Sequence, residues 1–488
     1  MNDTGIPEAN GTISTTEVDG ETSSSLPNVE EILNRHLEHQ RVGRKYHVRR
    51  NLTDLGNAER FADTWHGIIR YDTASRQFMI WDGRRWKPDS HHFAQHAAKM
   101  TVRAIYSEAE LAEDKAERAK IADHAKRSES ANRLEATVRL SRYAPEIAVV
   151  ADDFDTDADA LNVGNGTVDL RTGELTPHDP SAMHSKIARG NFDPALLETG
   201  EDNLPRYFDA APHFFRFLTD ISMGRPDWIE WLQRLCGYAA TGHANEQVAA
   251  FFVGNGANGK GTLTELILYI LGDYATVASP ELMVNARPGA GPTPEIAKLK
   301  GVRLLSIQET ESDARLSEAR FKWITGSVTL TGRFLYGNLV EFTPSFTPVL
   351  STNHTPRITT GGHAVWRRVR LLPFDFEARG DTVDPKLADK LRSEKDAVLA
   401  WIIDGARLWY AHGMPKSETV EKATAGYKQD EDRLAPFLAE CTEHRLSDCV
   451  KSSELYRRYR VWTESQSDRP MHNRAFHAAM RERGYTKQ

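Results

Sequence analysis

The residues with the clearest capacity for chemistry lie between Val248 and Leu271. Val248–Val253 is a short apolar run suited to a buried parallel strand. Gly254, Asn255, Gly256, Ala257, Asn258 and Gly259 form a glycine-rich turn that ends at Lys260. From Thr262 onward Leu263, Leu266, Ile267, Ile270 and Leu271 recur on one helical face. Strand, glycine turn, lysine and helix are the parts of a phosphate-binding loop. The glycines let backbone N–H groups converge on phosphate oxygens without Cβ clashes. The helix N-terminus adds positive partial charge, and Lys260 reaches the phosphates as a point charge. The residue after the lysine is Gly261, so the hydroxyl that would face Mg2+ comes one position late, at Thr262.

Three later features extend this set. Val302-Arg-Leu-Leu-Ser-Ile-Gln-Glu is an apolar strand ending in Glu309, an acid placed to support a Mg2+ shell and polarise a water. Glu311 is a possible second acid. Phe346-Thr-Pro-Val-Leu-Ser-Thr-Asn is a strand ending in Asn353, whose amide suits a γ-phosphate or its attacking water. Trp366-Arg-Arg-Val-Arg-Leu-Leu-Pro-Phe puts Arg367 and Arg368 just before a further strand, where a guanidinium suits a spreading transition-state charge. Each of these alone reads as an ordinary surface residue. In the order lysine loop, acid, asparagine, arginine they describe a ring-forming ATPase with sites at subunit interfaces.

The elements that must position these residues follow from the rest of the chain. It has 488 residues and a net charge of −7, so any nucleic-acid contact relies on local basic patches. Three cysteines without a C-x-x-C pair, no apolar run near the ~20 residues that span a bilayer, and a polar N-terminus indicate a soluble protein of a reducing cytoplasm, with no membrane partner. Residues 1–45 read as a disordered and basic segment with a short helix over 29–40. In 46–204, a mixed α+β region, a helix starts at Thr53 or Asp54. Strands over 68–71 and 77–81 turn back at Asp82-Gly83, with Trp81 packed on Trp86. Residues 97–143 read as one or two charged helices, and Leu161–Leu175 as a hairpin turning at 171–173. His91, His92 and His96 have no further ligand nearby in sequence. Asp152, Asp153, Asp155, Asp157 and Asp159 read as a solvated acidic loop. Residues 205–245 are a helical segment, which Gly237 is expected to end. The nucleotide-binding core occupies 246–380 and a helical segment 381–434. In 435–488, three short helices carry nine basic residues against four acids over 451–488, which suggests a helix-turn-helix unit.

Taken together the motifs resemble the superfamily 3 helicases of the phage and plasmid primase–helicase type, relatives of the poxvirus primase-helicase. The resemblance rests on 254–262, Ser306-Ile-Gln-Glu-Thr-Glu, Lys322-Trp-Ile-Thr-Gly and Thr331-Gly-Arg-Phe-Leu-Tyr. It continues through Glu341-Phe-Thr-Pro, Leu350-Ser-Thr-Asn-His-Thr-Pro-Arg and Val365–Phe374. Upstream, Leu52–Ala58, Trp81-Asp-Gly-Arg-Arg-Trp and Leu161–Leu175 are similar to that family's N-terminal helicase-associated region. The resemblance implies an α/β, AAA+-like P-loop NTPase core with a parallel sheet, and a winged-helix-like C-terminal module. It implies a hexameric ring that uses ATP and Mg2+ to move 3′ to 5′ on one strand of forked DNA in phage or plasmid replication, in a bacterial cytoplasm. By position, Lys260 and Thr262 hold nucleotide and Mg2+, Glu309 is the Walker B acid, Asn353 the sensor and Arg367 the finger, with Arg368 second. Arg333, Tyr336 and Asn338 fall in the DNA-tracking hairpin over 333–341, and Arg474 in the C-terminal module. Residues 1–150 show no pair of strand-borne carboxylates for priming, so priming is expected of a separate primase or polymerase chain. The rival reading is a ring ATPase of another class, a DNA packaging or remodelling motor.

Overall fold

A computed structural model of the chain describes residues 49–284, 294–308, 314–326, 329–333, 339–358, 362–379, 383–443, 449–466 and 470–485. These divide into two compact units, one of residues 49–68 with Asp89–Ile147 and one of Ile69–Pro88 with the described residues from Ala148 onward. The helix expected over 29–40 lies outside the described residues.

The first unit is helical: α1 (Asp54–Trp65), α2 (Phe93–Glu110), α3 (Lys115–Ser128) and α4 (Ala131–Ser141). Thr53 is the N-cap of α1, its hydroxyl accepting from Gly56 N at 3.1 Å. Gly56 has no alternative there, because a Cβ would stand 1.9 Å from Asn51 O. The charged stretch over 97–143 forms three helices in place of one or two. Asp114 interrupts it by capping α3, accepting from Glu117 N at 2.7 Å. Arg60 forks onto Glu108 with two bonds of 2.8 Å. Buried Asn57 donates to Ser128 Oγ at 3.0 Å and pairs with His124 at 2.9 Å. Burial, then the charges of Arg60, Arg133 and Arg127, keeps the His124 pKa below the ordinary value.

The second unit opens with β1 (Ile69–Asp72), β2 (Gln77–Trp81), β3 (Trp86–Pro88) and β4 (Ala148–Val149), which form a sheet of order β3-β2-β1-β4. Asp82 makes the β2–β3 turn by accepting from Arg84 N and Arg85 N at 2.9 and 3.0 Å. Trp81 and Trp86 meet across the turn with ring centroids 5.8 Å apart. The segment expected as one hairpin is a three-stranded meander of β5 (Ala160–Val163), β6 (Gly166–Asp169) and β7 (Leu175–Thr176), with a first turn at Gly164-Asn165. The acidic run beside it is solvated at Asp152, Asp153 and Asp157, which are exposed, but not at Asp155 and Asp159, which are half-buried and bonded. Asp155 accepts from Ser185 N at 2.8 Å, and Asp159 receives Arg171 Nε and His243 Nε2, each at 2.7 Å, together with the Tyr410 hydroxyl. These two aspartates point at partners from distant segments, which spacing alone does not disclose.

The central sheet is built from β8 (Ala249–Val253), β9 (Ala275–Ala278), β10 (Leu304–Gln308), β13 (Thr347–Thr352) and β14 (Val369–Pro373). All pairings are parallel, in the order β14-β8-β13-β10-β9. Strands β11 (Leu330–Arg333) and β12 (Leu339–Phe342) form a separate antiparallel pair. Both faces of the central sheet are covered. Along β8, Ala250 and Phe252 join one hydrophobic cluster while Ala249 and Phe251 join another. Continuous apolarity with period-two sorting marks a strand buried on both sides.

On the first face lie α5 (Pro212–Ser222), α6 (Pro226–Ala240), α7 (Lys260–Leu271) and α8 (Lys395–His412). Gly237 does not end the helical segment; it sits inside α6, which runs on to Ala240. A Cβ on Gly237 would fall 2.1 Å from Ala406 N, and one on Gly405 would fall 2.3 Å from Gln233 O. The two glycines therefore let α6 and α8 cross with their backbones in contact. Tyr427 of α9 (Glu418–Asp430) enters the core on the other face. The C-terminal residues form α10 (Leu434–Cys441), α11 (Ser452–Ser465) and α12 (Asn473–Glu482), close to the three expected helices. They close over their own small core of Leu434, Phe437, Tyr459, Phe476 and Met480. Among the described residues, no helix is long and apolar enough to cross a membrane.

Candidate functional site

Parallel strands bring their C-terminal ends to one edge of a sheet, and ligands of open α/β sheets bind there, where the strand order switches direction. Such a switch occurs at β8. The chain leaves it for β9, β10 and β13 on one side, and β14 lies on its other side. The turn at 254–259 projects from this end of β8. Thr352 pairs with Val253, so Asn353 follows β13 level with Gly254.

The turn is held from three directions. Phe374 N donates to Val253 O at 2.7 Å and Ala378 N to Ala257 O at 2.8 Å, so the segment after β14 straps the loop. A Cβ on Gly254 would lie 2.2 Å from Phe374 O. Gly259 has φ +82°, and a Cβ there would strike Ile221 Cγ2 at 2.5 Å. Ala257 also takes a left-handed conformation, at φ +58°, which costs a non-glycine residue about 1–2 kcal/mol. Gly256 and Gly261, in contrast, have no heavy atom within 4 Å of a built Cβ. Two glycines of the turn thus serve its fold, while Gly256 faces open space, where a ligand could approach the backbone.

Lys260 opens α7 and is only 6% exposed. Its ammonium donates to Gly254 O, to Asn255 O at 3.3 Å, to Asn258 Oδ1 at 3.2 Å and to Asn353 Oδ1 at 3.1 Å. All four acceptors are neutral, and burial lowers the lysine pKa. A buried cation whose partners among the described residues are all neutral favours an anionic ligand. Asn258 is also buried, at 3% exposure, donating from Nδ2 to Phe374 O at 3.3 Å and accepting from Lys260 N at 3.3 Å. It therefore joins strap, loop and lysine, a role that sequence position within the loop did not single out. Asn255 is exposed and Thr262 half-buried.

Gln308, the last residue of β10, pairs with Ser351 of β13. Glu309 and Glu311 come next in sequence and lie outside the described residues, as do Tyr336 and Asn338. Arg333 is the exposed last residue of β11, and Arg474 is exposed on α12.

Arg367 and Arg368 are not brought to Lys260. They precede β14, whose first residue, Val369, pairs with Ala249 at the start of β8. Arg368 thus falls level with Val248, and at ~3.3 Å per residue along a strand it stands roughly 20 Å from Gly254, with Arg367 one residue beyond it, at the opposite edge of the sheet. The two also differ from each other. Arg368 is 8% exposed and donates to Ala364 O at 2.6 Å and to Gln247 Oε1 at 3.1 Å. Burial, then the neighbouring Arg367 charge, lowers its pKa. Arg367 is exposed, and among the described residues its side chain shares the Gln247 contact, at 3.1 Å.

Residues 58–236 match the family described as D5 N terminal like. A protein of Acanthamoeba polyphaga mimivirus, provisionally named helicase L207/L206, is 26% identical over 324 residues, which are 62% of this chain and 32% of its own length. The protein C962R of African swine fever virus (strain Badajoz 1971 Vero-adapted), provisionally named a primase, is 24% identical over 341 residues, 63% of this chain and 34% of its own. The chain therefore spans about a third of the length of these relatives, which are proteins of large DNA viruses rather than of phages. The apo structure of the NrS-1 C terminal region aligns over 77% of this chain and 78% of its own at 11% identity and a TM-score of 0.44, too distant to carry weight on the fold. The chain carries a D5 N terminal like region and resembles the primase-helicase-like superfamily 3 helicases.

Proposed function

We propose that this chain is an ATP-driven DNA helicase of viral replication, with an AAA+-like core that works as a homo-oligomeric, hexameric ring. The reading rests above all on the buried Lys260 ammonium, held by four neutral oxygens, one of them from Asn353 on the neighbouring strand. In it, the 254–261 backbone and Lys260 cradle the triphosphate, Asn353 senses the γ-phosphate, and Glu309 orients the attacking water. Thr262 and Glu309 would hold Mg2+, which neutralises charge on the β- and γ-oxygens when bound.

Arg367 supports the oligomeric part of the reading. It is exposed and lies at the far edge of its own sheet, so it can serve only a neighbour's nucleotide. Arg368, buried and bonded within the chain, is given a structural role. The β11–β12 arms, with Arg333 at their end, and the module carrying Arg474 are the proposed DNA contacts, and a separate primase or polymerase supplies primers.

The test is ATP hydrolysis and strand separation on a forked duplex, with wild type beside Lys260→Ala. DNA-stimulated hydrolysis and unwinding, both lost in the variant, are expected. Hydrolysis that DNA does not change, with no strand separated, would favour a packaging or remodelling motor that uses the same nucleotide site.

A further inference from the structure

The β2–β3 turn, Asp82-Gly-Arg-Arg-Trp-Lys87, has no part in the nucleotide site, yet it carries three cations on a rigid hairpin. Facing it are Lys186 and the starts of β9 and β10. Between them lies an open groove of about 410 Å³ lined by Arg85, Lys87, Lys186 and Lys298, with Ser185 and Thr276 as hydroxyl donors. This volume lies within the range of about 300–1,000 Å³ found for ligand sites.

The groove is held in shape by close backbone contacts. Gly272 has φ +55°, and a Cβ there would meet Ile187 O at 2.6 Å. Ile187 N in turn donates to Asp273 Oδ2 at 3.1 Å, and the same carboxylate pairs with Arg85. Gly301 has φ +69°, and the Lys186 stem lies across it, so that a Cβ would stand 2.7 Å from Lys186 Cε. Lys186 is thereby laid into the wall, half-buried, with the carboxylate of Asp155 behind it.

The charge balance is positive. Asp273 faces Arg85, Asp82 faces Lys87 at 3.1 Å and Asp155 lies near Lys186. Exposed Lys298 has no carboxylate partner among the described residues. Four lining cations against three carboxylates leave one positive charge, in a chain whose net charge is −7. No aromatic side chain lines the groove. Trp86 is fully buried and donates to Pro180 O at 2.9 Å. Cations and hydroxyls without a stacking surface recognise phosphate and leave bases unread. The groove also lies at the N-terminal edge of the sheet beyond β13 and β10, away from Lys260.

We propose that this groove binds the phosphodiester backbone of a single nucleic-acid strand, independently of sequence, through Lys87, Lys186 and Lys298. The choice of a strand over free phosphate rests on the helicase reading; the phosphate chemistry does not.

The test is fluorescence anisotropy of a labelled oligothymidine across a salt series, with inorganic triphosphate titrated separately. The triple variant Lys87→Gln, Lys186→Gln, Lys298→Gln is compared with wild type, and basal ATP hydrolysis without DNA reports that the fold is intact. Three lost contacts should flatten the log–log salt slope by about 2 and weaken binding about ten- to a hundredfold at low salt. Basal hydrolysis stays unchanged, and Lys298→Arg retains wild-type binding. The single Lys298→Glu change, at an exposed position, should weaken strand binding in the same direction and covers the case of a triple variant that folds poorly. Wild-type affinity and slope in these variants would overturn the groove and leave the helicase reading standing. Loss of triphosphate binding with strand binding intact would overturn the strand assignment. A wild type that binds no strand at any salt would overturn the groove together with the helicase reading.

Discussion

Within the turn at 254–261 the glycines divide sharply, and alanine at each gives opposite outcomes. Gly259→Ala places a side chain in a left-handed conformation at φ +82° and drives its Cβ to 2.5 Å from Ile221 Cγ2 and 3.0 Å from Phe217 Cε2. The conformational cost is about 1–2 kcal/mol and the overpacking cost about 1–3 kcal/mol, so the variant should lose roughly 2–5 kcal/mol. Gly256→Ala meets no atom within 4 Å and has no positive φ to maintain, so its cost should stay within about 0.5 kcal/mol. If Gly256 is glycine to admit a phosphate to the backbone, its alanine variant keeps the fold and loses nucleotide affinity. Urea unfolding and ATP binding by calorimetry, on both variants, separate the two effects. The argument fails if Gly259→Ala unfolds at the wild-type midpoint, or if Gly256→Ala is the less stable of the pair.

Other predictions follow from named contacts. Burial would raise the Asp159 pKa, but bonds from Tyr410, Arg171 and His243 outweigh it and hold it at about 2. A carboxylate depressed in the folded state stabilises above its unfolded pKa and loses that contribution as pH falls toward the folded value. Asp159→Asn should therefore cost on the order of 1–2 kcal/mol at pH 7, with the gap to wild type closing between about pH 4 and pH 2 in denaturant titrations. Gly237→Ala and Gly405→Ala should each destabilise by at least about 1–3 kcal/mol, because α6 and α8 must separate to admit a methyl group; calorimetric unfolding reads this directly. Arg368→Ala removes a buried side chain and its bonds to Ala364 O and Gln247 Oε1 and should lower the melting temperature, whereas Arg367→Ala should leave it unchanged while abolishing hydrolysis in the assembled protein.

Strand β8, the glycine turn and helix α7 were legible because their signals are local. A six-residue apolar run, glycines at a turn and a helical stripe each follow from neighbouring residues. The strands ending before Glu309, Asn353 and the one following Arg368 were legible for the same reason. The features that escaped depend on partners distant in sequence. Gly237 looks like a helix stop until Gly405 is set against it. Asp155 and Asp159 look solvated until Ser185, His243 and Tyr410 arrive. Asn258 looks like one more loop residue until the Phe374 carbonyl lies over it. Resemblance likewise ranked Arg367 before Arg368 without a physical reason, which burial, with Gln247 and Ala364 as partners, supplies.

The central claim is that each nucleotide site is completed by an arginine from a neighbour, and mixing two inactive variants tests it most directly. Lys260→Ala lacks the phosphate lysine and Arg367→Ala lacks the finger, whose loss should slow hydrolysis by about 10³–10⁵, or roughly 4–7 kcal/mol. In rings assembled from equal amounts of both, about a quarter of the head-to-tail interfaces join an intact lysine to an intact arginine. The account predicts that the mixture recovers hydrolysis up to about a quarter of the wild-type rate, while each variant alone stays inactive. A mixture as inactive as its parts, in rings shown to contain both chains, would contradict it.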